Sequence, residues 1–490
     1  MIKLDHQDPQ SYQHAFAKVN QNLVGVGVTA FNRIGPALIA DNYQIICYKQ
    51  GTDAKALSRL VKVSSIQDDF YKEGDITSLN TLAILEHPGV QKYLKKFGNN
   101  TCIFVYRTSE RVSQICQKLG LKVIANPHDI RDKYEDKDQF FRIGRKIGLP
   151  MIAGIQLNIS DLNEIAYENL TKEIGSKLVF QVVDFSKGGG KGTFFINSFD
   201  QVLAFKQAVA EFKKDKTDRD WQKVNVTKFI LGPSPSITGC ATRHGILTGP
   251  VQTQILDVPG LLMGRDPGGV YQGHDWAYKN YDQDIQNQAD KIATTLGEYM
   301  YQQGYKGIFG VDLVIDESNN KVYPVECNPR YTGAFPVYSL IQQVYKEIPL
   351  DVFQFLEFLD IDYEMDFTAV NKSWKQPKNA AHLTLHNPYY SNWAKTTGDL
   401  PAGIFKLENG VLKRVRDGIL YQDIEDESEF ILTDSPPLLN ELVKPGLRVG
   451  KLIFKTRVLV KPGELSPFAS KVIEEVYKGF NFQPIEANHA

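Results

Sequence analysis

The chain has 490 residues, 42% of them apolar, with 38 glycines and 23 prolines. That supplies material for several cores at about 150 residues per domain, and it excludes collagen-like and low-complexity chains. Lysine and arginine number 56 against 57 acidic residues, a formal charge of -1, which argues against a partner recognised by phosphate neutralisation, so no nucleic acid is expected.

The first residues, Met1 to His6, lead into no apolar segment of the kind a secretory signal needs. The most apolar stretch, Leu23 to Ala40, is broken by Asn32, Arg33 and Pro36 and is too polar to span a bilayer. The five cysteines (Cys47, Cys102, Cys116, Cys240 and Cys327) are scattered, without the spacing of a disulfide framework or zinc site. A cytoplasmic protein with no membrane partner is the expectation.

In chain order, Leu23–Val28, Gln44–Tyr48 and Cys102–Tyr106 read as strands, and Ser109–Leu119 as a helix before the strand Lys122–Ala125. That rhythm predicts a parallel sheet covered by helices, a Rossmann-like unit over residues 1–125. A second unit begins near Asn126 and runs to about 370. In it, Asp136–Ile147 is an amphipathic helix ended by Gly148. Leu178–Asp184 and Thr193–Asn197 are strands joined by a glycine-rich loop, within a lobe over about 150–225. Val224–Ile230, Ile237–His244 and Gln252–Leu256 are further strands, and Asp282–Gln303 is a long helix. Ile308–Asp316 and Val322–Cys327 form a hairpin about Asn319–Asn320. Residues 371–490 are rich in short strands and turns.

Two features carry chemistry. The first is Ser186-Lys187-Gly188-Gly189-Gly190-Lys191-Gly192-Thr193. Glycines let backbone N–H groups converge on an anion without Cβ obstruction, and two lysines add charge. The spacing is not that of the Walker A loop, which also precedes a helix. The second is the hairpin carrying Asp312, Glu326 and Asn328. Glu326 and Asn328 share a face because they are two apart. If Asp316 pairs with Val322, Asp312 falls opposite Glu326, whereas an odd-sum register turns it away. The neighbouring positions Val311, Leu313, Val314, Ile315 and Val325 are apolar, so acids between them need a partner. Two carboxylates and an amide oxygen suit Mg²⁺, which takes oxygen ligands and shares its shell with phosphates.

The order of glycine-rich hairpin, middle strand with Thr227-Lys228-Phe229-Ile230, and acid hairpin ending in Glu326-Cys327-Asn328-Pro329-Arg330 resembles the ATP-grasp superfamily, over roughly residues 126–345. The resemblance implies an α/β and α+β multidomain fold: a Rossmann-like parallel-sheet domain, a central ATP-grasp fold of two α+β lobes, and a β-rich C-terminal part similar to that of biotin-carboxylase-type members. It implies a ligase that uses ATP and Mg²⁺, or Mn²⁺, to activate a carboxylate as an acyl phosphate and join it to an amine. Amino acids and peptide-like compounds are the expected substrates, a carrier protein stays open as a partner, and the superfamily often forms homodimers.

Residue by residue, the resemblance implies that Lys137 meets the nucleotide. Lys191, Gly188, Gly189, Gly190, Gly192 and Thr193 form a lid over the phosphates, and Lys187, or Lys177, is a candidate to supply the charge of a missing nucleotide lysine. Thr227, Lys228, Phe229 and Ile230 meet adenine. Asp312, Glu326 and Asn328 hold metal, and Arg330 steadies the transferred charge. Gln181 stands where many members carry a second nucleotide lysine. In the loop 257–275, Arg265 is a candidate for a substrate carboxylate, and His274 and Asp275 for proton removal from the amine. Tyr331, Thr332 and Gly333 are candidates to line the same pocket.

Other readings compete. Gly25-Val26-Gly27-Val28-Thr29-Ala30 fits the dinucleotide fingerprint of an NAD-dependent oxidoreductase, but Lys49-Gln50 stands where its acid belongs. His382 and His386 have metal-like spacing, yet alternate as on a strand. A nucleotide-binding regulator or scaffold draws on Gln181, and bicarbonate activation of the biotin-carboxylase kind draws only on the tail.

Overall fold

The computed structural model describes residues 2–6, 8, 11–76, 78–183, 192–214, 222–265, 268–279, 281–389 and 391–485. Five parallel strands, in the order Lys62–Ser65, Tyr43–Lys49, Asn22–Thr29, Thr101–Val105 and Lys122–Val123, make the first sheet. All five residues of Thr101–Val105 are buried, as a parallel strand covered on both faces requires. Val24, Val26, Ile46, Ile103 and Val105 pack beneath helices on one side. Leu23, Ile45, Cys47 and Phe104 join a second cluster with Phe353, Phe355 and Leu356 on the other.

The glycines of the apparent dinucleotide fingerprint lie within the strand Asn22–Thr29. A Cβ on Gly25 would stand 1.9 Å from the Tyr43 hydroxyl, and one on Gly27 3.3 Å from Arg33. The glycines make room for these side chains. Arg33 fills the space above them and donates through Nε to the Val26 carbonyl at 3.0 Å. Short 3₁₀ turns, Phe31–Arg33 and Gly35–Leu38, follow in place of a phosphate-binding helix.

The smaller central lobe is an antiparallel sheet in the order Gly154–Asn158, Lys223–Lys228, Leu178–Val182, Thr193–Ile196. The last two strands form the expected hairpin. Alternate residues Leu178, Phe180, Val182, Val224 and Val226 bury one face against Phe205 of the helix Phe199–Lys214.

The largest sheet has eleven strands. It runs Lys321–Asn328, Gly307–Asp316, Pro235–Thr242, Gln252–Leu256, Tyr271–Asp275, then Ala381–His386, Arg448–Phe454, Glu429–Thr433, Gly403–Glu408 and Val411–Arg416, with Gly245–Thr248 beside Pro235–Thr242. The pairing of Tyr271–Asp275 with Ala381–His386 carries the sheet without a break from the central part into the β-rich tail. The tail also holds a 14-residue helix, Pro467–Phe480. At the other end of the chain, Ile2–Leu4 pairs in parallel with Tyr363–Met365. Among the described residues, no helix is long and apolar enough to cross a membrane.

Candidate active site

A cleft of about 1280 Å³ opens between the C-terminal end of the parallel sheet, the smaller lobe and one face of the large sheet. Ligands of open α/β sheets collect at such strand ends. Tyr106 and Arg107 come to the cleft from the first sheet, Gln181 and Thr227 from the lobe, and Asp312 and Glu326 from the large sheet.

The acid hairpin reaches its register in an unexpected way. Asp316 pairs with Lys321, not with Val322. That odd-sum pairing by itself would turn Asp312 away from Glu326. A bulge leaves Val325 without an opposite residue and shifts the register between Asp312 and Leu313. Beyond it Asp312 faces Glu326, and Gly310 faces Asn328. A bulge re-aims side chains in this manner, often beside functional sites.

Asp312 accepts from Gln254 Nε2 at 2.8 Å and from Asn328 Nδ2 at 3.0 Å. Burial, and then the charge of Glu326, push its carboxyl well above the usual carboxylate range. Asp136 caps the helix Lys137–Lys146 by accepting from the Gln139 N–H at 2.7 Å. This holds Lys137 in the first turn, its Nζ 3.6 Å from Glu326 Oε2.

Arg330 is fixed on three sides. Its Nε donates to Glu135 Oε1 at 2.7 Å, Nη2 donates to Asn328 Oδ1 at 2.9 Å, and Nη1 donates to the Tyr106 hydroxyl. The Glu135 carboxylate is also shared with Arg107 Nη2 at 3.2 Å and Arg131 Nη1 at 3.4 Å. Glu135, Tyr106, Arg107 and Gln254 are site residues the sequence reading missed. An acid on a charged helix and a glutamine in a strand carry no local signal; only the fold brings them together.

Thr227, Lys228, Phe229 and Ile230 line the cleft where the chain leaves the lobe for the large sheet. The Lys228 N–H donates to Ala153 and the Phe229 N–H to Lys177, both at 3.0 Å. Gln181 also faces the cleft, its Nε2 3.5 Å from the Thr193 hydroxyl. Gly192 and Thr193 lie on the same wall. Lys187, Gly188, Gly189, Gly190 and Lys191 lie outside the described residues.

Three expectations are corrected. His274 lines the cleft, but its Nδ1 is 2.7 Å from the Tyr271 hydroxyl and its Nε2 3.0 Å from Ser236 Oγ. Burial, and then Lys451, lower its pKa to about 3, so it is neutral and poorly suited to take a proton near pH 7. Asp275 is structural: its two oxygens accept four backbone N–H groups, from Ala277, Tyr278, Val458 and Leu459, at 2.7–2.9 Å. Tyr331 is buried in the core beside Arg33, while Thr332 and Gly333 line the cleft. Arg265 lines it too, but it first braces its own loop, donating to the Leu262 and Leu261 carbonyls at 2.9 and 3.1 Å. His382 and His386 lie on a strand as expected. Among the described residues, no three His, Cys, Asp or Glu side chains group as a metal site.

Residues 187–334 match the family model of the ATP-grasp domain. The chain carries an ATP-grasp domain. The arginine-specific carbamoyl phosphate synthase large chain of Geobacillus stearothermophilus is 23% identical over 275 residues, 56% of this chain and 23% of that one. A butirosin acyl-carrier protein–L-glutamate ligase of Niallia circulans is 26% identical over 237 residues, covering 47% of this chain and 52% of that ligase. The chain thus spans about a quarter of the length of the first relative and about half of the second. Among solved structures, a biotin carboxylase from Campylobacter jejuni in complex with β,γ-ATP matches with a TM-score of 0.62 at 14% identity, over 96% of this chain and 94% of that one. Its likeness shows the fold: this ATP-grasp domain sits within a biotin carboxylase-like arrangement.

Proposed function

We propose that the chain is an ADP-forming ligase that activates a carboxylate as an acyl phosphate and joins it to an amine. One observation carries the reading: Asp312, Glu326, Asn328, Lys137 and Arg330 converge on one wall of a cleft large enough for a nucleotide and a second substrate. A passive nucleotide binder has no need of an arginine held on three sides beside paired acids.

The donor set fits Mg²⁺. Asp312 and Glu326 are adjacent carboxylates with Lys137 as the ion-pair partner of Glu326, and their mutual repulsion marks a local excess of negative charge. Two carboxylates with the Asn328 amide oxygen form an all-oxygen set, the kind a hard cation prefers. When bound there, the ion would supply charge neutralisation between the phosphates.

The chain's own residues do the rest. Lys137 reaches the nucleotide phosphates from a helix N-terminus, where backbone N–H groups also favour anions. Thr227 to Ile230 offer backbone groups and an apolar wall to a base. Arg330, kept rigid by Glu135, Asn328 and Tyr106, presents fixed donors to charge developing on the transferred phosphoryl group or acyl oxygen. The small lobe excludes water from the acyl phosphate as it closes.

A carboxylate substrate and an amine acceptor are proposed on this reading. The name of the butirosin relative favours including an acyl-carrier protein among the acceptors to be tried. A regulatory nucleotide binder is the second reading, and Gln181, which brings no charge to the cleft, supports it. Mg-ATP turnover to ADP across a carboxylate panel tests the two. Turnover that depends on one carboxylate and is lost in Glu326→Ala supports the ligase. Mg-ATP binding without turnover on any member supports the regulator.

A further inference from the structure

Behind the cleft wall, one lysine gathers three parts of the chain. Lys451 is fully buried in the strand Arg448–Phe454. Its Nζ donates to the Gly333 carbonyl at 3.0 Å and to Asn32 Oδ1 at 3.4 Å, and lies 3.9 Å from Asp434 Oδ2. The centroid of the Phe31 ring is 5.5 Å away. Asn32 follows the strand Asn22–Thr29 of the first sheet and also donates to Asp434 Oδ1 at 2.9 Å. Arg448 Nη1 donates to Asp434 Oδ2 at 3.2 Å. The ammonium therefore joins the first sheet and the C-terminal strands to the turn that follows Arg330.

Placing a lysine there is costly. Burial lowers the Lys451 pKa to about 8, opposed by the charge of Asp434 and reinforced by Arg448. A charge kept inside against such a penalty needs good partners. Lys378 is buried too, but it pairs with Glu347 and donates to the Trp374 and Gln376 carbonyls, none of which lines the cleft. Lys451 instead directs its shortest hydrogen bond to the backbone of the cleft wall.

Gly333 has no need of glycine for its own conformation. Its φ lies outside the left-handed region, and a Cβ there would meet no atom of the described residues within 4 Å. Gly232, on the same cleft, is the opposite: its φ is +151°, and a Cβ would stand 1.9 Å from the Ile315 carbonyl oxygen. At Gly333 the missing side chain leaves open space on the cleft wall. A site selects partners by the room it leaves as well as by the contacts it makes.

We propose that Gly333 and Lys451 set which substrates fit beside Arg330: Gly333 leaves room for a bulky group on the carboxylate substrate, and Lys451 is the positioning residue that holds the turn in place. This deepens the ligase reading and rests on it for the reaction, not for the binding. It gives the C-terminal strands a part in substrate choice.

The test is direct binding, so that it stands apart from turnover. Full-length protein saturated with Mg-ADP is titrated by calorimetry with acetate, glutamate, phenylalanine and the dipeptide alanyl-glutamate. The expected result is that at least one of the larger three binds more tightly than acetate. Gly333→Leu should weaken that compound at least about tenfold, with any binding of acetate changed less than about twofold. Lys451→Met, which removes the donors, should weaken it more than about threefold, and Lys451→Gln, which keeps an N–H donor, should recover part of the loss. Lys378→Met is the comparator for burial alone: it should lower Tm and leave the carboxylate affinities unchanged. Melting temperature and Mg-ADP affinity identify the variants that remain folded, and Gly333→Leu, placed in open space, should keep both. If the Lys451 variants do not fold, Gly333→Leu decides the outcome. Tightest binding of acetate, no binding of any carboxylate, or equal binding by folded Gly333→Leu overturns the proposal. Folded Lys451 variants with unchanged affinities overturn the positioning role. Carboxylate binding with the expected size preference, but no ADP formed from Mg-ATP on any of the four, would instead remove the ligase reading and leave the pocket.

Discussion

Glu135→Gln isolates the positioning of Arg330. Glu135 Oε1 accepts from Arg330 Nε at 2.7 Å, and Oε2 faces Arg107 at 3.2 Å and Arg131 at 3.4 Å. Glutamine keeps the shape but presents one oxygen and one NH₂. Whichever way it turns, a donor faces an arginine. If the oxygen stays with Arg107 and Arg131, the bond to Arg330 is lost. A hydrogen bond to a charged group contributes about 1.5–3 kcal/mol. Expressed at the transition state, that is roughly a 10- to 150-fold loss of turnover. On the proposed role of Arg330, steadying charge that develops in the reaction, the loss should fall on kcat, with KM for ATP changed less than about threefold. The assay is steady-state ADP release with the carboxylate that gives the highest turnover, beside thermal unfolding. A lower Tm with kcat unchanged would refute the reasoning, because Glu135 would then serve only the packing of its helix.

Two further predictions concern the frame. Asp275→Asn loses up to two of the four backbone N–H groups now bound by the carboxylate, which at about 1.5–3 kcal/mol each should cost about 3–6 kcal/mol; denaturant unfolding measures it, and a loss below about 1 kcal/mol would contradict the clamp between this strand and the turn at Val458. Asp351 is pushed up to about 6 by burial, partly offset by Ser339, Tyr331 and Arg33. Its folded pKa lies above the unfolded one of 3.8, so its contribution to stability is full below about pH 3.8 and is lost as pH rises through about 6. Asp351→Asn should therefore gain on the unaltered chain by up to about 3 kcal/mol between pH 4 and 7.5. A gain independent of pH, read from unfolding curves at both ends, would contradict it.

Much of this architecture was legible locally. Buried parallel strands are apolar along their whole length, so Leu23–Val28 and Cys102–Tyr106 declare themselves, and Asp136 ahead of an amphipathic run marks the helix that carries Lys137. The Glu326 to Arg330 segment pointed to the site because few strands hold acids and amides between apolar neighbours. What was not legible depends on long-range pairing. The bulge at Val325 has no sequence mark, and the right facing of Asp312 emerged from a register assumption that fails at the turn. Glu135 comes to Arg330 across 195 positions. His274 looked like a base in a loop, but lies on a strand where burial keeps it neutral. The glycines Gly25 and Gly27 answer to Tyr43 and Arg33, two partners that a motif cannot reveal.

The central claim is that this cleft makes an acyl phosphate. The most direct measurement is hydroxamate formation from Mg-ATP and a carboxylate panel with hydroxylamine present, comparing the unaltered chain with Glu326→Ala. The account predicts hydroxamate from a restricted set of carboxylates, matched by equimolar ADP and abolished in the variant. Mg-ATP bound by the unaltered chain, with no hydroxamate from any carboxylate across the panel, would contradict it.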